Sequence, residues 1–349
     1  MTFQQAYNFQ KQILNNNFDT QELINTFQRH TKNGLQIDEF NGYWKASSES
    51  QIAFNYNYPT IDIVGTGGDG FDTINISTLA SLVCAKAGIK VAKHGNRSSS
   101  GKCGSADILE LMGYDIHQTQ DKLKKSLDEN NFAFLFAPVY NPSFGYVKAI
   151  RKNYGLPTYF NLLGPLLNPT QPNHIVLGVS KKISDFLPNC FWLLAKQLQI
   201  QNVDTSWLIQ SEEGMDEISL SKQTNVYQTF GHNDIELHSN NNLGIIPKLN
   251  DKLDFLPPNY RHTILDPKKY EIIGDIKDIQ VESPEQAKEF FEQILEGKGR
   301  LKHVQAVALN AAGGIKLSGL TKTYKEALLI SLDIINSGEL KRFFEKLIV

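Results

Sequence analysis

From Ile61 onward, short apolar runs alternate with helix-forming stretches, and this alternation constrains the fold more than any other feature of the chain. "IDIV" (61–64) is followed by "STLASLVCAKAG" (77–88), "IKVAK" (89–93) by "SADILELMG" (105–113), and then "FAFLFA" (132–137). Runs that are apolar throughout, rather than at every second residue, suit strands buried on both faces, as in parallel sheets covered by helices. "HIVLGV" (174–179) and "TSWLIQ" (205–210) extend the series, and helices are expected near 284–296, 303–313 and 323–347. The expected fold is α/β: a larger lobe with a mainly parallel sheet flanked by helices.

A small all-helical lobe precedes it. Ala6, Phe9 and Ile13 recur at helical spacing. Asp19 with Glu22 opens a second helix carrying Leu23, Ile24 and Phe27, which "KNG" (32–34) stops. Ile37, Phe40 and Trp44 mark a third. The division expected is 1–57 for this lobe, rejoined by a returning segment at about 140–165, with 58–139 and 166–349 forming the α/β lobe. The Asn- and Asp-rich stretch near 231–260 reads as a long excursion.

The 349 residues carry 35 Lys+Arg against 37 Asp+Glu, so the chain has no general attraction for nucleic acid or a membrane surface, and an anion must be bound by a local site. Cys84, Cys103 and Cys190 are too scattered for a disulfide framework or a zinc cluster. The N-terminal stretch lacks the basic and long apolar segments of a signal peptide, and no run has the length of a membrane span. These features lead to the expectation of a cytoplasmic enzyme.

"DIVGTGGDGFDTINIST" (62–78) holds Gly65, Gly67 and Gly70 in the order of a dinucleotide fingerprint. The remainder of that fingerprint is missing: "FDTIN" separates the glycines from the helix, and the next strand ends in Lys93 and His94 rather than an acid. A Walker loop is excluded as well, since five residues separate Gly95 from Gly101 and Cys103 stands where a hydroxyl is needed. Two readings remain: a glycine-rich turn that merely connects strand to helix, or a loop whose backbone N–H groups can approach a phosphate, beside Asn75, Ser77 and Thr78 at a helix start. Ser77 alone would also serve as a simple N-cap. The following loop, "KHGNRSSSGKCGSAD" (93–107), adds Lys93, His94, Arg97 and Lys102 among small residues. Loops at the C-terminal ends of neighbouring parallel strands face one crevice, so the two together suit a highly phosphorylated small molecule. Asp216 and Glu217 in "EEGMDEISL" follow another strand, and Mg2+ needs only one or two protein carboxylates when a substrate supplies phosphate oxygens.

Taken in order, "DIVGTGGDG", "NIST", "KHGNRSSSGK", "GSAD", "RKNYG", "NLLGPLLNP" and "GMDEIS" resemble the anthranilate phosphoribosyltransferase family, and "NAAGGI" (310–315) fits it as well. The resemblance implies transfer of phosphoribose from phosphoribosyl pyrophosphate to anthranilate in tryptophan synthesis, by a homodimer joined through its helical lobes. It assigns Gly68, Asp69, Thr73, Asn75, Ile76, Ser77, Thr78, Lys93, His94, Gly95, Asn96, Arg97, Ser98, Ser99, Ser100, Gly101 and Ser105 to the donor. Ser77, Asp216 and Glu217 are implied to hold two Mg2+ ions, with Lys93 and the acidic pair central to catalysis. Gly65, Asn96, Arg151 and Pro165 are implied to contact anthranilate. Where the family commonly has a His-Pro-Ala-Met stretch this chain reads "YNPSFG", which makes Asn141 a further acceptor candidate and places Phe144 at the methionine. Three rivals stay open on sequence: a nucleoside phosphorylase of the same architecture, against which "GMDEIS" speaks; the same donor with a different aromatic amine; and a non-catalytic nucleic-acid-binding relative.

Overall fold

The computed structural model of the chain describes residues 1–98, 101–231 and 260–348. Ser99, Ser100 and nearly all of the Asn- and Asp-rich excursion lie outside the described residues. Three helices come first: α1 (Phe3–Leu14), α2 (Thr20–Asn33) and α3 (Ile37–Ser50). Asp19 caps α2 by accepting the Glu22 N–H at 2.7 Å. Ala6, Phe9, Ile13, Leu23, Phe27, Phe40 and Tyr43 meet Val147, Tyr159, Phe160 and Leu163 from the later helical segment in one apolar cluster. That cluster continues through Ile175, Leu177 and Leu208 onto one face of the sheet.

Among the described residues, seven strands form one mixed sheet in the order β3-β2-β1-β4-β5-β6-β7. They span Ile61–Gly65, Val91–Gly95, Phe132–Phe136, His174–Gly178, Thr205–Ser211, Thr224–Phe230 and Tyr260–Leu265 for β1 to β7. β1 to β5 pair in parallel, as the apolar runs predict, whereas β6 and β7 are added antiparallel. β1 lies beside both β2 and β4, so the chain builds outward in one direction as far as β3 and then restarts on the other side of β1. The loops after β1 and β4 therefore diverge, leaving the crevice in which open α/β sheets bind ligands.

α4 (Ile76–Lys86) follows the glycine loop and packs on the sheet's other face. The helix Leu301–Leu317 lies against α4, and its long run of buried residues is what a helix enclosed on nearly all sides requires. The region read as one helix at 323–347 is two, Tyr324–Asn336 and Glu339–Glu345. The break is Gly338, whose φ of +71° is left-handed and whose Cα side faces the Glu296 carbonyl so closely that a Cβ would lie 2.9 Å from it. No described helix is long and apolar enough to cross a membrane.

Candidate active site

The glycine loop leaves β1 at the crevice. Gly67, Gly68 and Gly70 take φ of +66°, +76° and +83°, a region that favours glycine, and nothing lies within 4 Å of where their side chains would be. The loop is thus twisted by conformation rather than crowded, with open space beside its backbone. Gly65 is glycine for a different reason: a Cβ there would stand 2.2 Å from the Asp216 carboxylate. Three bonds tie the loop to the end of β4: Thr66 N–H to the Gly178 carbonyl at 2.9 Å, Ser180 N–H to Thr66 Oγ1 at 3.1 Å, and Ser180 Oγ–H to the Gly67 carbonyl at 3.1 Å.

The turn after β5 brings Asp216 and Glu217 to this loop. Asp216 Oδ2 accepts the Gly67 N–H at 2.6 Å. The backbone N–H and hydroxyl of Ser77, in the first turn of α4, favour the charged form of Glu217. Lys93, only 2% exposed, reaches in from β2 and donates to the Ile63 carbonyl at 2.6 Å and to Ser77 Oγ at 3.3 Å. Ser77 is not the N-cap: α4 starts at Ile76 with Asn75 as its cap residue. Asn75 makes no side-chain capping bond, and its amide donates to the Cys103 carbonyl instead. The Ser77 hydroxyl is therefore committed to the crevice.

Charge is crowded here. Burial, then the charges of Asp69 and Glu217, push the Asp216 carboxyl well above the usual carboxylate range. Burial pushes Glu217 up to about 7, against the opposing pull of Lys93 and the Ser77 hydrogen bonds. Burial also lowers Lys93, while Asp62, Glu217 and Asp216 hold it up. A divalent cation would relieve both the desolvation and the repulsion of these carboxylates. No set of three or more His, Cys, Asp or Glu residues among the described residues forms a complete metal cage. The donor set of two carboxylates and a hydroxyl, opening on a loop of free backbone, fits Mg2+ that takes its other oxygens from a phosphorylated ligand and water.

Other expected residues are placed as follows. Ile76 and Thr78 are buried, and Thr73 makes an isolated bridge to Gln280. His94 belongs to β2 itself, is 4% exposed, and burial lowers it to about 4, so its ring is neutral. The Gly164 backbone, in the "NLLGPLLNP" segment, partly offsets that lowering. Arg97 turns away from the glycine loop: it pairs with Asp107 at 3.1 Å and with Glu110, and lies over the Phe136 ring. Asp107 also takes the backbone N–H groups of Ser98 and Gly104, both at 2.9 Å, so this carboxylate braces the second loop on the following helix. Ser105 Oγ donates to the Asn96 carbonyl at 3.1 Å, and a Cβ on Gly95 would meet that hydroxyl at 2.4 Å. The Ser98 hydroxyl accepts the Gly101 N–H at 2.7 Å.

Of the residues expected to contact anthranilate, the Arg151 guanidinium lies 5.1 Å from the centre of the Phe160 ring, and burial lowers its pKa to about 10. Phe144 meets Phe160 edge-on, with ring centres 5.3 Å apart at 88°. The larger residue at this position thus supports the ring beneath Arg151. Pro165 is buried inside the helix Tyr159–Leu166, and Asn141 is 8% exposed just after the helix Ala137–Tyr140.

Two residues escaped the sequence. Asp62, fully buried in β1 and pushed up to about 6 by burial, accepts from Asn168 Nδ2 at 2.9 Å and stands opposite Lys93. The available signal was a lone acid inside the apolar run "IDIV", one strand away from Lys93 at the end of "IKVAK".

Residues 57–253 and 257–341 match the family described as the glycosyl transferase family, a/b domain. The chain is similar to the anthranilate phosphoribosyltransferase of Bacillus subtilis, at 34% identity over 90% of this chain and 84% of that one. It is also similar to that of Nitrosopumilus maritimus, at 36% over 82% and 74%. Its structure superposes on the crystal structure of anthranilate phosphoribosyltransferase from Thermus thermophilus with a TM-score of 0.83 and 27% identity, covering 100% of this chain and 95% of the other. The Saccharomyces cerevisiae enzyme, solved in complex with PRPP and Mg, shares the fold at a TM-score of 0.79 and 24% identity, with 99% and 92% covered.

Proposed function

The chain belongs to the anthranilate phosphoribosyltransferase family, and from that premise we propose how its own residues move phosphoribose from phosphoribosyl pyrophosphate to anthranilate. The observation that carries the reading is the meeting of Gly67, Ser77, Lys93, Asp216 and Glu217 where β1 and β4 diverge. The uncrowded backbone at Gly68 and Gly70, with the first turn of α4, receives the donor's phosphates. Asp69, Thr73, Asn75 to Thr78, and the second loop from Lys93 to Gly101 with Ser105 complete that site. Arg97 acts there by bracing the loop, since its charge is already met by Asp107 and Glu110.

Ser77, Asp216 and Glu217 would hold two Mg2+ ions, which would supply positive charge against the negative charge that grows on the departing pyrophosphate. Lys93 adds a fixed positive charge in a buried setting, where it needs no reorganisation as the C1–O bond opens. The pyrophosphate leaves with the bonding electron pair, the anthranilate nitrogen bonds to C1, and that nitrogen gives up a proton. Arg151 supplies a planar fork for the anthranilate carboxylate, set over Phe160. Gly65, Asn96, Pro165 and Asn141 line the acceptor side.

The two-lobe division at 1–57 and 140–165, a homodimer through the helical lobe and a cytoplasmic location are part of the same proposal. The product tests the reaction: incubation with both substrates and Mg2+ is expected to yield N-(5-phosphoribosyl)anthranilate by mass spectrometry, with one pyrophosphate per product. Donor binding without this product would assign the crevice to another aromatic amine.

A further inference from the structure

"NAAGGI" has no task in the scheme above, yet its asparagine occupies the interior. Asn310 is 1% exposed, on a helix walled by apolar residues. Its Oδ1 accepts the Ile218 N–H at 2.8 Å, and its Nδ2 donates to the Ile218 carbonyl at 2.9 Å and to the Ala306 carbonyl at 3.0 Å. Both polar groups of one residue's backbone are thus held by a single side chain, which fixes the orientation of its amide. Ile218 directly follows Asp216 and Glu217.

The same helix sets the other half of the site. A Cβ on Gly314 would lie 2.8 Å from Cys84 Sγ and 2.9 Å from Ile63, and the Cys84 thiol donates to the Ala311 carbonyl at 3.4 Å. Cys84 belongs to α4, whose first turn carries Ser77, and Ile63 belongs to β1. One helix therefore touches the element that presents Ser77 and grips the turn that presents the acidic pair. From the opposite side, Gly178 at the end of β4 lies so close that a Cβ would overlap the Asp216 carbonyl.

We propose that Asn310 is a positioning residue for the reaction: by clamping Ile218 it holds Glu217 and Asp216 within reach of Ser77, Lys93 and the Gly67 N–H, and so sets the affinity for the metal and the donor. The inference rests on the donor-site reading given above. An apolar side chain at 310 would fill the same space but leave the Ile218 N–H and carbonyl unpaired in the interior, freeing the turn to shift.

The test compares the wild type with Asn310→Ala and, as a milder change, Asn310→Ser. Mn2+ binding in the presence of phosphoribosyl pyrophosphate is followed by electron paramagnetic resonance, and donor binding with Mg2+ by calorimetry, both without anthranilate. Folding is checked by melting temperature. The expected result is folded variants whose metal-dependent donor binding is weaker by about 10–100-fold, the range seen when a group orienting a metal ligand is lost, while the KM for anthranilate moves much less. Wild-type metal and donor affinity in a folded variant overturns the proposal, as does failure of both variants to fold, which would make the clamp purely structural. Absence of metal-dependent donor binding in the wild type would instead overturn the donor-site reading.

Discussion

Arg151 is a positive charge set over a ring, with no ion-pair partner among the described residues, which is the state of a group awaiting an anion. Lysine there keeps the charge but loses the fork and the stacking. Arg151→Lys is therefore expected to raise the KM for anthranilate about 10–100-fold, the equivalent of one charge-assisted hydrogen bond, while the KM for the donor stays near wild type. A matched rise in both constants in steady-state kinetics would show that Arg151 does not face the acceptor. Phe144 answers to the same measurement: it buttresses Phe160, so Phe144→Ala should shift the anthranilate KM in the same direction by a smaller factor. That Ser77, Asp216 and Glu217 would gather was expected because each sits in a stretch that resembles a family motif. The pairing of Asp62 with Asn168 was not, because it spans 106 positions and no local pattern marks it.

At the scale of elements, the strands β1 to β5 were legible because their apolar runs have one physical cause, burial on both faces. β6 and β7 were not, since "TNVYQTF" and "YRHTIL" mix polar and apolar residues as an antiparallel edge allows. The break at Gly338 likewise depends on contact with Glu296, a neighbour in space and not in sequence. Among the helices, α2 and α3 share a buried charge. Glu39 is fully buried and accepts from Arg29, from His30 at 3.0 Å and from Tyr43 at 2.7 Å. Burial alone would raise this carboxyl, but the hydrogen bonds from His30 and Arg29 outweigh it and hold Glu39 far below its ordinary value. His30 is lowered, chiefly by burial, and so is held neutral. A carboxylate depressed in the fold contributes stability that is complete above its unfolded pKa and is lost as pH falls. A lowered histidine also favours unfolding once the pH drops below its ordinary pKa. The melting temperature of the wild type should therefore fall in two stages, below about pH 6.5 as His30 protonates in the unfolded chain and below about pH 4.5 as Glu39 does, and Glu39→Gln should flatten only the second. At pH 7 the same variant should cost about 1–3 kcal/mol, because the remaining partners lose an ionised acceptor. A variant with the wild-type pH profile would show that Glu39 is not the group responsible.

The whole molecule places its candidate site where the sheet's connections reverse, and three stretches of chain must meet there: the glycine loop with the start of α4 that it leads into, Lys93 on β2, and the turn after β5. The family motifs told which residues would gather, whereas the clamp by Asn310 and the floor at Gly178 became visible only once the helix Leu301–Leu317 and β4 were in place. The central claim is that the acidic pair works on the donor through Mg2+. Its most direct test is the rate at which anthranilate fluorescence is lost with phosphoribosyl pyrophosphate, measured across Mg2+ concentrations for the wild type and for Asp216→Asn/Glu217→Gln. The account predicts a wild-type rate that rises with Mg2+ and is abolished by EDTA, and a variant slower by at least about 10²–10³-fold, the cost of losing one preorganised contact to the developing charge. A variant with the wild-type rate and the same Mg2+ dependence would contradict it.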